Sequence, residues 1–234
     1  MSAPNPICVA LDTPDVGRAT ALASALKLHV GYLKIGLEFF YANGRAGYEA
    51  VAETGLPIFL DLKLHDIPNT VASALRGLME FDPVPAIINV HATGGRDMMK
   101  AAAEAVGGRS KLIAVTILTS LSDDDLWSVG FEIARDTQSH ARNLAELAAN
   151  AGLDGVVCSP HDIVGIKHAT RAGFITVVPG IRPAETGAQD QKRIATPEAA
   201  LTAGADILVI GRAITGAADP ALAARKIHEQ LNAG

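Results

Sequence analysis

The sequence predicts an α/β fold, a (β/α)8 TIM barrel forming a single domain over residues 1–234. Three observations predict it. Eight short apolar runs recur along the chain. Stretches with helical spacing and good helix formers separate them. Charged and polar residues gather where the runs end, as at the catalytic rim of such a barrel.

The first run, ICVALD (7–12), is continuous rather than alternating. A parallel strand covered on both faces has that pattern. The turn after it, LDTPDVG, lacks the glycine-rich fingerprint of the rival architecture, a doubly wound open sheet. RATALASALKLHV (18–30) follows with Leu22, Leu26 and Val30 at four-residue steps, one face of a helix. YLKIG (32–36), PIFLDLK (57–63), AIINVH (86–91) and KLIAVTIL (111–118) supply the second to fifth strands. HARNLAELAANAG (140–152) is helical and ends on a glycine suited to a C-cap. GVVCS (155–159) and ITVVPGI (175–181) are the sixth and seventh strands. TPEAALTAG (196–204) opens a helix with a Thr cap and Pro at the first helical position. ILVIG (207–211) completes the eight. No linker, low-complexity run or short repeat divides the chain.

Composition narrows the class. Apolar residues make up 49% and aromatic residues only 4%, so the core is expected to rest on Ala, Val, Ile and Leu. A net charge of −5 argues against a general nucleic-acid binder but leaves room for a local anion pocket. Cys8 and Cys158 both fall in strand-like runs and read as buried thiols rather than a disulfide. The N-terminal MSAPNP has neither a basic stretch nor a long apolar run, so no signal peptide is expected. No segment reaches bilayer length. The expectation is a soluble, cytoplasmic protein with no membrane partner.

The chemistry is expected at the strand ends. Asp61 and Lys63 stand two apart in an otherwise apolar strand, so they leave it on the same face. Buried ions are costly unless paired. Asp12 ends the first run, Lys34 lies near the end of the second, and Asn89 and His91 end the fourth. Asp12, Lys34, Asp61 and Lys63 thus alternate in sign at the mouth of three consecutive strands, an arrangement better suited to catalysis than to stability. Thr119 and Ser120 follow the fifth run. A second constellation joins the seventh and eighth strands. Gly180 and Gly211 let backbone N–H groups approach an anion, and Arg182 and Arg212 add charge-assisted bonds. Barrels often hold phosphate there. The intervening loop, with Gly187, Gln189 and Gln191, is long enough to close over a ligand.

Other polar residues read as structural. His65, His91 and His161 lack metal-ligand spacing and an acidic cluster, so no metal site is expected, and His91 is expected to orient its neighbours. Ser122 caps a short helix whose first turn, Asp123, Asp124 and Asp125, suits the helix dipole as a solvated face. Trp127 is expected to pack under that helix or at a subunit contact.

DLKLHDIPNT (61–70) strongly resembles the Asp-x-Lys-x-x-Asp signature of the orotidine 5′-phosphate decarboxylases. The likeness extends in order through VALD, LKIG, VTILTS, GVVCSP, VVPGIRP, DQKRIATP and VIGR, covering nearly the whole chain, and looks like the bacterial branch. The resemblance implies a homodimeric barrel that makes UMP and carbon dioxide in de novo pyrimidine synthesis, with neither metal nor organic cofactor. It implies that Lys63 protonates C6 of the pyrimidine, that Asp61 lies against the departing carboxylate, and that Lys34 holds Asp61 and a ribose hydroxyl. Asp12 would bind ribose as well, and Thr119 the pyrimidine edge. Gln191 would bridge base and phosphate, while Arg182, Gly211 and Arg212 hold the phosphate. Asp66, Ile67 and Thr70 would reach into the partner subunit's site.

Two rivals stand beside this reading. Metal-dependent phosphosugar decarboxylases and epimerases on similar barrels carry an acidic ligand at the end of strand two, where this chain has Lys34. A non-catalytic nucleotide-phosphate-binding regulator would keep the two arginines but would not need Asp61 with Lys63.

Overall fold

The computed structural model describes residues 5–134, 136–183 and 195–233. Eight parallel strands close into a barrel in sequence order. They are β1 (Ile7–Ala10), β2 (Tyr32–Ile35), β3 (Ile58–Leu64), β4 (Ile87–His91), β5 (Lys111–Val115), β6 (Gly155–Val157), β7 (Ile175–Val178) and β8 (Ile207–Ile210). β8 pairs back onto β1 through Ile7 opposite Leu208, which closes the ring. The expected (β/α)8 barrel is therefore the fold the chain adopts.

The helices on the outside are α1 (Val16–Leu26), α2 (Leu37–Ala52), α3 (Pro68–Leu78), α4 (Gly95–Val106) and α5 (Asp123–Ser128). They continue with α6 (Thr137–Asn150), α7 (Ile163–Ala169), α8 (Pro197–Thr202), α9 (Arg212–Thr215) and α10 (Pro220–Ala233). Among the described residues, none is long and apolar enough to cross a membrane.

The continuous apolar runs have a direct cause. Alternate residues of each strand point to two different apolar cores. Ile7, Val9 and Leu11 face the sleeve between sheet and helices, the larger core. Cys8, Ala10, Phe59, Ile87, Ile113 and Val177 fill the barrel interior. With both faces dry, no polar alternation survives in the strand bodies. On β2 to β4, charged and amide side chains take the inward-facing positions one layer higher, where Lys34, Asp61 and Asn89 follow Tyr32, Phe59 and Ile87.

Caps follow the sequence. Thr196 caps α8, its hydroxyl accepting from the Ala199 N–H, with Pro197 in the first turn. Ser122 and Asp125 form a reciprocal capping box at α5. After α6 the chain turns at Gly152 with φ +92°, the left-handed region glycine enters most readily.

Three details differ from expectation. α1 ends at Leu26, and its buried stripe is Ala19, Ala23 and Leu26. The small alanines let the helix lie close to the strands, which leaves Leu22 at the margin and Val30 buried in the approach to β2. Asp123 is not simply solvated, because it accepts from both the backbone N–H and the hydroxyl of Thr137 and so ties α5 to α6. Trp127 is 41% exposed because Leu126 occupies the inward position, so of its two expected placements the one under the helix is not taken, and its exposure leaves the subunit contact open.

Candidate active site

The ends of β1 to β4 converge on a charged network. The Asp61 carboxylate lies at its centre and is buried. Its Oδ1 accepts from Lys63 Nζ at 2.7 Å and from Asn89 Nδ2 at 2.7 Å. Its Oδ2 lies 3.2 Å from Lys34 Nζ. Lys34 Nζ in turn lies 3.5 Å from Asp12 Oδ1. Signs therefore alternate along Asp12, Lys34, Asp61 and Lys63. The two central groups are deeply enclosed, while Asp12 and Lys63 reach toward solvent.

Lys63 meets Asp61 by a route that strand alternation does not give. The β3–β4 register shifts between Leu60 and Leu64, so that Leu60 pairs with Ile88 and Leu64 with Val90. Four residue steps on β3 thus span two on β4, a bulge of the kind found beside active sites. Within it Lys63 adopts φ +51°. A left-handed conformation costs a non-glycine residue roughly 1–2 kcal/mol. Such strain persists where surrounding contacts over-determine it. Here the Lys63 N–H donates to Asn89 Oδ1 at 2.8 Å.

Electrostatics fix the charge states. Burial alone would push the Asp61 carboxyl up. The ammonium groups of Lys34 and Lys63, with the hydrogen bonds from Lys63 and Asn89, outweigh burial and hold it below the usual carboxylate range. Lys34 is the mirror case: burial would lower it, but Asp61 and Asp12 raise it above the ordinary lysine value. Both stay charged at neutral pH, as a paired buried ion should. An added Cβ at Gly36 would come within 3.0 Å of Lys34 Nζ, so a glycine there leaves the ammonium its place. Beneath the network, burial pushes the Cys8 thiol up to about 12. Neither cysteine forms a disulfide, and both are buried.

The network forms one wall of a cavity of about 550 Å³. That volume suits a nucleotide-sized ligand. Thr119, Gly180, Arg182, Gly211 and Arg212 line the same cavity. Gly180 has φ +80°, where a side chain would be strained. Gly211 is different: an added Cβ would meet Ala10 and Asp12 only at 3.8 Å, ordinary contact, so packing within the chain does not demand a glycine. The short helix α9 starts directly after Gly211, in the position where barrels hold phosphate.

Asp66, Ile67 and Thr70 are exposed on the β3–α3 connection and the first turn of α3, with Ile67 67% exposed. Gln191 lies outside the described residues, as do Gly187 and Gln189. His65 and His91 stack with ring centroids 5.4 Å apart. His91 Nδ1 lies 2.9 Å from the Thr93 hydroxyl. Burial first, then the neighbouring His65 and Lys63, hold His91 below its ordinary value. The part played by Asn89 and Gly36 escapes a reading of sequence alone. Each looks like an ordinary strand-end residue, and only the bulge and the approach of Lys34 reveal what it touches.

Chemically, the wall offers the Lys63 ammonium held by the Asp61 carboxylate inside a partly enclosed cavity. Such a group can stabilise developing negative charge and deliver a proton to it.

Similarity to known proteins agrees with this geometry. The chain is 53% identical over 227 residues to an orotidine 5′-phosphate decarboxylase of Novosphingobium aromaticivorans, covering 97% of this chain and 99% of that protein. It is 51% identical over 236 residues to the enzyme of that name from Rhodospirillum rubrum, covering 97% and 94%. The crystal structure of orotidine 5′-phosphate decarboxylase from Lactobacillus acidophilus superposes with a TM-score of 0.84 at 35% identity, over 97% of this chain and 99% of that one. Residues 5–227 match one family along almost their whole length, and the chain belongs to it: the orotidine 5′-phosphate decarboxylase / HUMPS family.

Proposed function

We propose that this chain is a carboxy-lyase that converts orotidine 5′-phosphate to UMP and carbon dioxide in pyrimidine biosynthesis. In this reading it needs no metal or organic cofactor, and Lys63 protonates C6. The observation that carries the mechanism is the Lys63 ammonium, 2.7 Å from Asp61 Oδ1 in the cavity that also holds Arg182 and Arg212.

Loss of carbon dioxide from C6 leaves an electron pair in the plane of the ring, where the π-system cannot delocalise it. Stabilisation must then come from a charge already in place. Lys63 supplies that charge and afterwards its proton. Asp61 keeps the ammonium fixed and lies toward the departing carboxylate. Lys34 and Asp12 bind ribose while Lys34 also anchors Asp61. Thr119 meets the pyrimidine edge, Gln191 spans base and phosphate, and Arg182, Gly211 and Arg212 take the phosphate.

Magnitudes show that Lys63 cannot act alone. Enzymes lower barriers by about 8–23 kcal/mol, and a carbanion without delocalisation calls for the upper end. One preorganised donor contributes roughly 3–4 kcal/mol. The remainder comes from binding energy at phosphate and ribose, spent on closing the site and excluding water.

The site is shared in this reading. Asp66, Ile67 and Thr70 are exposed in one chain, on the connection that follows Lys63 and the first turn of α3, as residues serving a second copy would be. The active form is then a cytoplasmic homodimer, each chain forming a single barrel domain.

The metal-dependent phosphosugar reading is disfavoured by Lys34. Its ammonium sits between the carboxylates of Asp12 and Asp61, where a divalent cation would be repelled. One assay separates the readings: loss of orotidine 5′-phosphate absorbance with and without EDTA, for the wild type and Lys63→Ala. The expected result is chelator-insensitive turnover that Lys63→Ala nearly abolishes while UMP still binds. Turnover lost with EDTA, or largely retained without Lys63, would overturn the mechanism.

A further inference from the structure

We propose that Asn89 is a positioning residue for this reaction, its single carboxamide setting both the backbone of Lys63 and the carboxylate of Asp61. The inference rests on the decarboxylase reading and deepens it, because it assigns what holds the proton donor in place.

Asn89 is fully buried. A buried amide must find partners on both of its atoms. Those partners are the two ends of one short segment. Asn89 Oδ1 accepts from the Lys63 N–H at 2.8 Å, and Asn89 Nδ2 donates to Asp61 Oδ1 at 2.7 Å. The chemistry of the partners fixes the amide's orientation. A backbone N–H can only donate and an ionised carboxylate can only accept, so oxygen faces Lys63 and nitrogen faces Asp61.

The same Asp61 oxygen accepts from Lys63 Nζ. A closed loop results: Asn89 to the Lys63 backbone, along the lysine side chain to its ammonium, to Asp61, and back to Asn89. Both ends of Lys63 are thereby tied to one buried group.

The bulge explains why a side chain is needed. Regular pairing between β3 and β4 is interrupted from Leu60 to Leu64, the stretch that contains Lys63. The backbone N–H of Lys63 therefore finds its acceptor in a side chain from β4. The hydrogen bond holds a lysine in the left-handed region at φ +51°. Asn89 does not line the cavity, whereas Asp61 and Lys63 do. It acts through them and touches no substrate. No other common side chain supplies the same pair of contacts at that length. Aspartate would face Asp61 with a second acceptor, and leucine would leave both the N–H and the carboxylate without this partner.

The test compares wild type, Asn89→Ala and Asn89→Asp. Three quantities are read: kcat and KM for orotidine 5′-phosphate, the Kd of UMP, and exchange of the UMP C6 hydrogen for deuterium in D2O. A lysine that gives C6 its proton also removes it in reverse, so the exchange reports on Lys63 without the decarboxylation step. A mispositioned catalytic group costs about 100-fold in rate. Asn89→Ala is expected to lower kcat by that order and hydrogen exchange in parallel, with UMP Kd within about threefold of wild type. Asn89→Asp, which keeps the acceptor but loses the donor, is expected to fall at least as far. A kcat close to wild type in Asn89→Ala overturns the inference. So does a loss of UMP affinity as large as the loss of kcat, which marks a merely structural residue. Should Asn89→Ala fail to fold, Asn89→Thr carries the same comparison. A wild type that neither decarboxylates nor exchanges overturns the decarboxylase reading itself, and the role of Asn89 falls with it.

Discussion

Lys34 and Asp61 form an ion pair at 3.2 Å, with solvent reaching only 12% and 10% of their side chains. Such a pair is costly to assemble and more costly to break, because removing one partner strands the other. Asp61 retains Lys63 as a second partner, so the penalty is smaller than for a fully orphaned charge.

Lys34→Met is accordingly expected to lower stability by about 1–3 kcal/mol, measured by urea unfolding. It also removes the counter-charge that does most to oppose the effect of burial on Asp61. The Asp61 carboxyl then titrates at higher pH. The acid limb of the kcat/KM profile should move up in Lys34→Met, and an unmoved limb would show that ionised Asp61 is not what the reaction needs.

His91 gives stability an acid dependence of its own. Its folded value is held below 6.5. Between that folded value and 6.5, the unfolded chain carries a proton that the folded chain does not. Stability therefore falls as pH drops below 6.5, because the unfolded state binds more protons. Asp61, also shifted downward, adds its own loss at more acid pH, below 3.8. His91→Gln removes only the first component. Unfolding free energies measured on either side of pH 6.5 should differ less in His91→Gln than in the wild type. Equal differences would mean that His91 titrates normally in the folded chain.

Arg212 tests whether binding energy distant from the reacting carbon is used in turnover. It lines the cavity at the start of α9, after β8 rather than on the β3 segment that carries Lys63. A hydrogen bond to a charged group contributes about 1.5–3 kcal/mol, which is roughly 10- to 150-fold in an equilibrium or rate. Arg212→Ala should lower kcat/KM for orotidine 5′-phosphate by that order. The same substitution should leave the far slower reaction of orotidine, which lacks the phosphate, unchanged. An equal loss on both substrates would remove the phosphate role.

The barrel was legible because its cause is repetitive. Each strand with two dry faces writes a continuous apolar run, and the eight runs are countable. The charged rim was legible for the complementary reason: Asp61 and Lys63 interrupt such a run where burial should forbid them. The bulge was not legible. Nothing in LDLKL distinguishes a regular strand from one in which Lys63 turns to φ +51°, because the deciding contact comes from Asn89, 26 residues later. The stripe of α1 shows the same limit, since leucine spacing pointed to Leu22 while the close approach of helix and sheet selected Ala19 and Ala23. Contacts between distant segments leave no local pattern.

Sharing of sites between two copies makes the most demanding prediction. Lys63 belongs to the cavity of its own chain, whereas Asp66, Ile67 and Thr70 lie exposed outside it. If Asp66 serves the second copy, Lys63→Ala and Asp66→Ala disable different halves of each site. Each variant alone is expected to be nearly inactive. Mixed under conditions that let subunits exchange, they form heterodimers in which one site carries both substitutions and the other carries neither. Random pairing makes half of the dimers mixed, and each has one intact site of two, so activity should return to about a quarter of wild type. The measurement is the decarboxylation rate against mixing ratio, with a maximum at equal amounts. A mixture that stays inactive although exchange is demonstrated would place Asp66 in the same site as the Lys63 of its own chain, and the shared site would be abandoned.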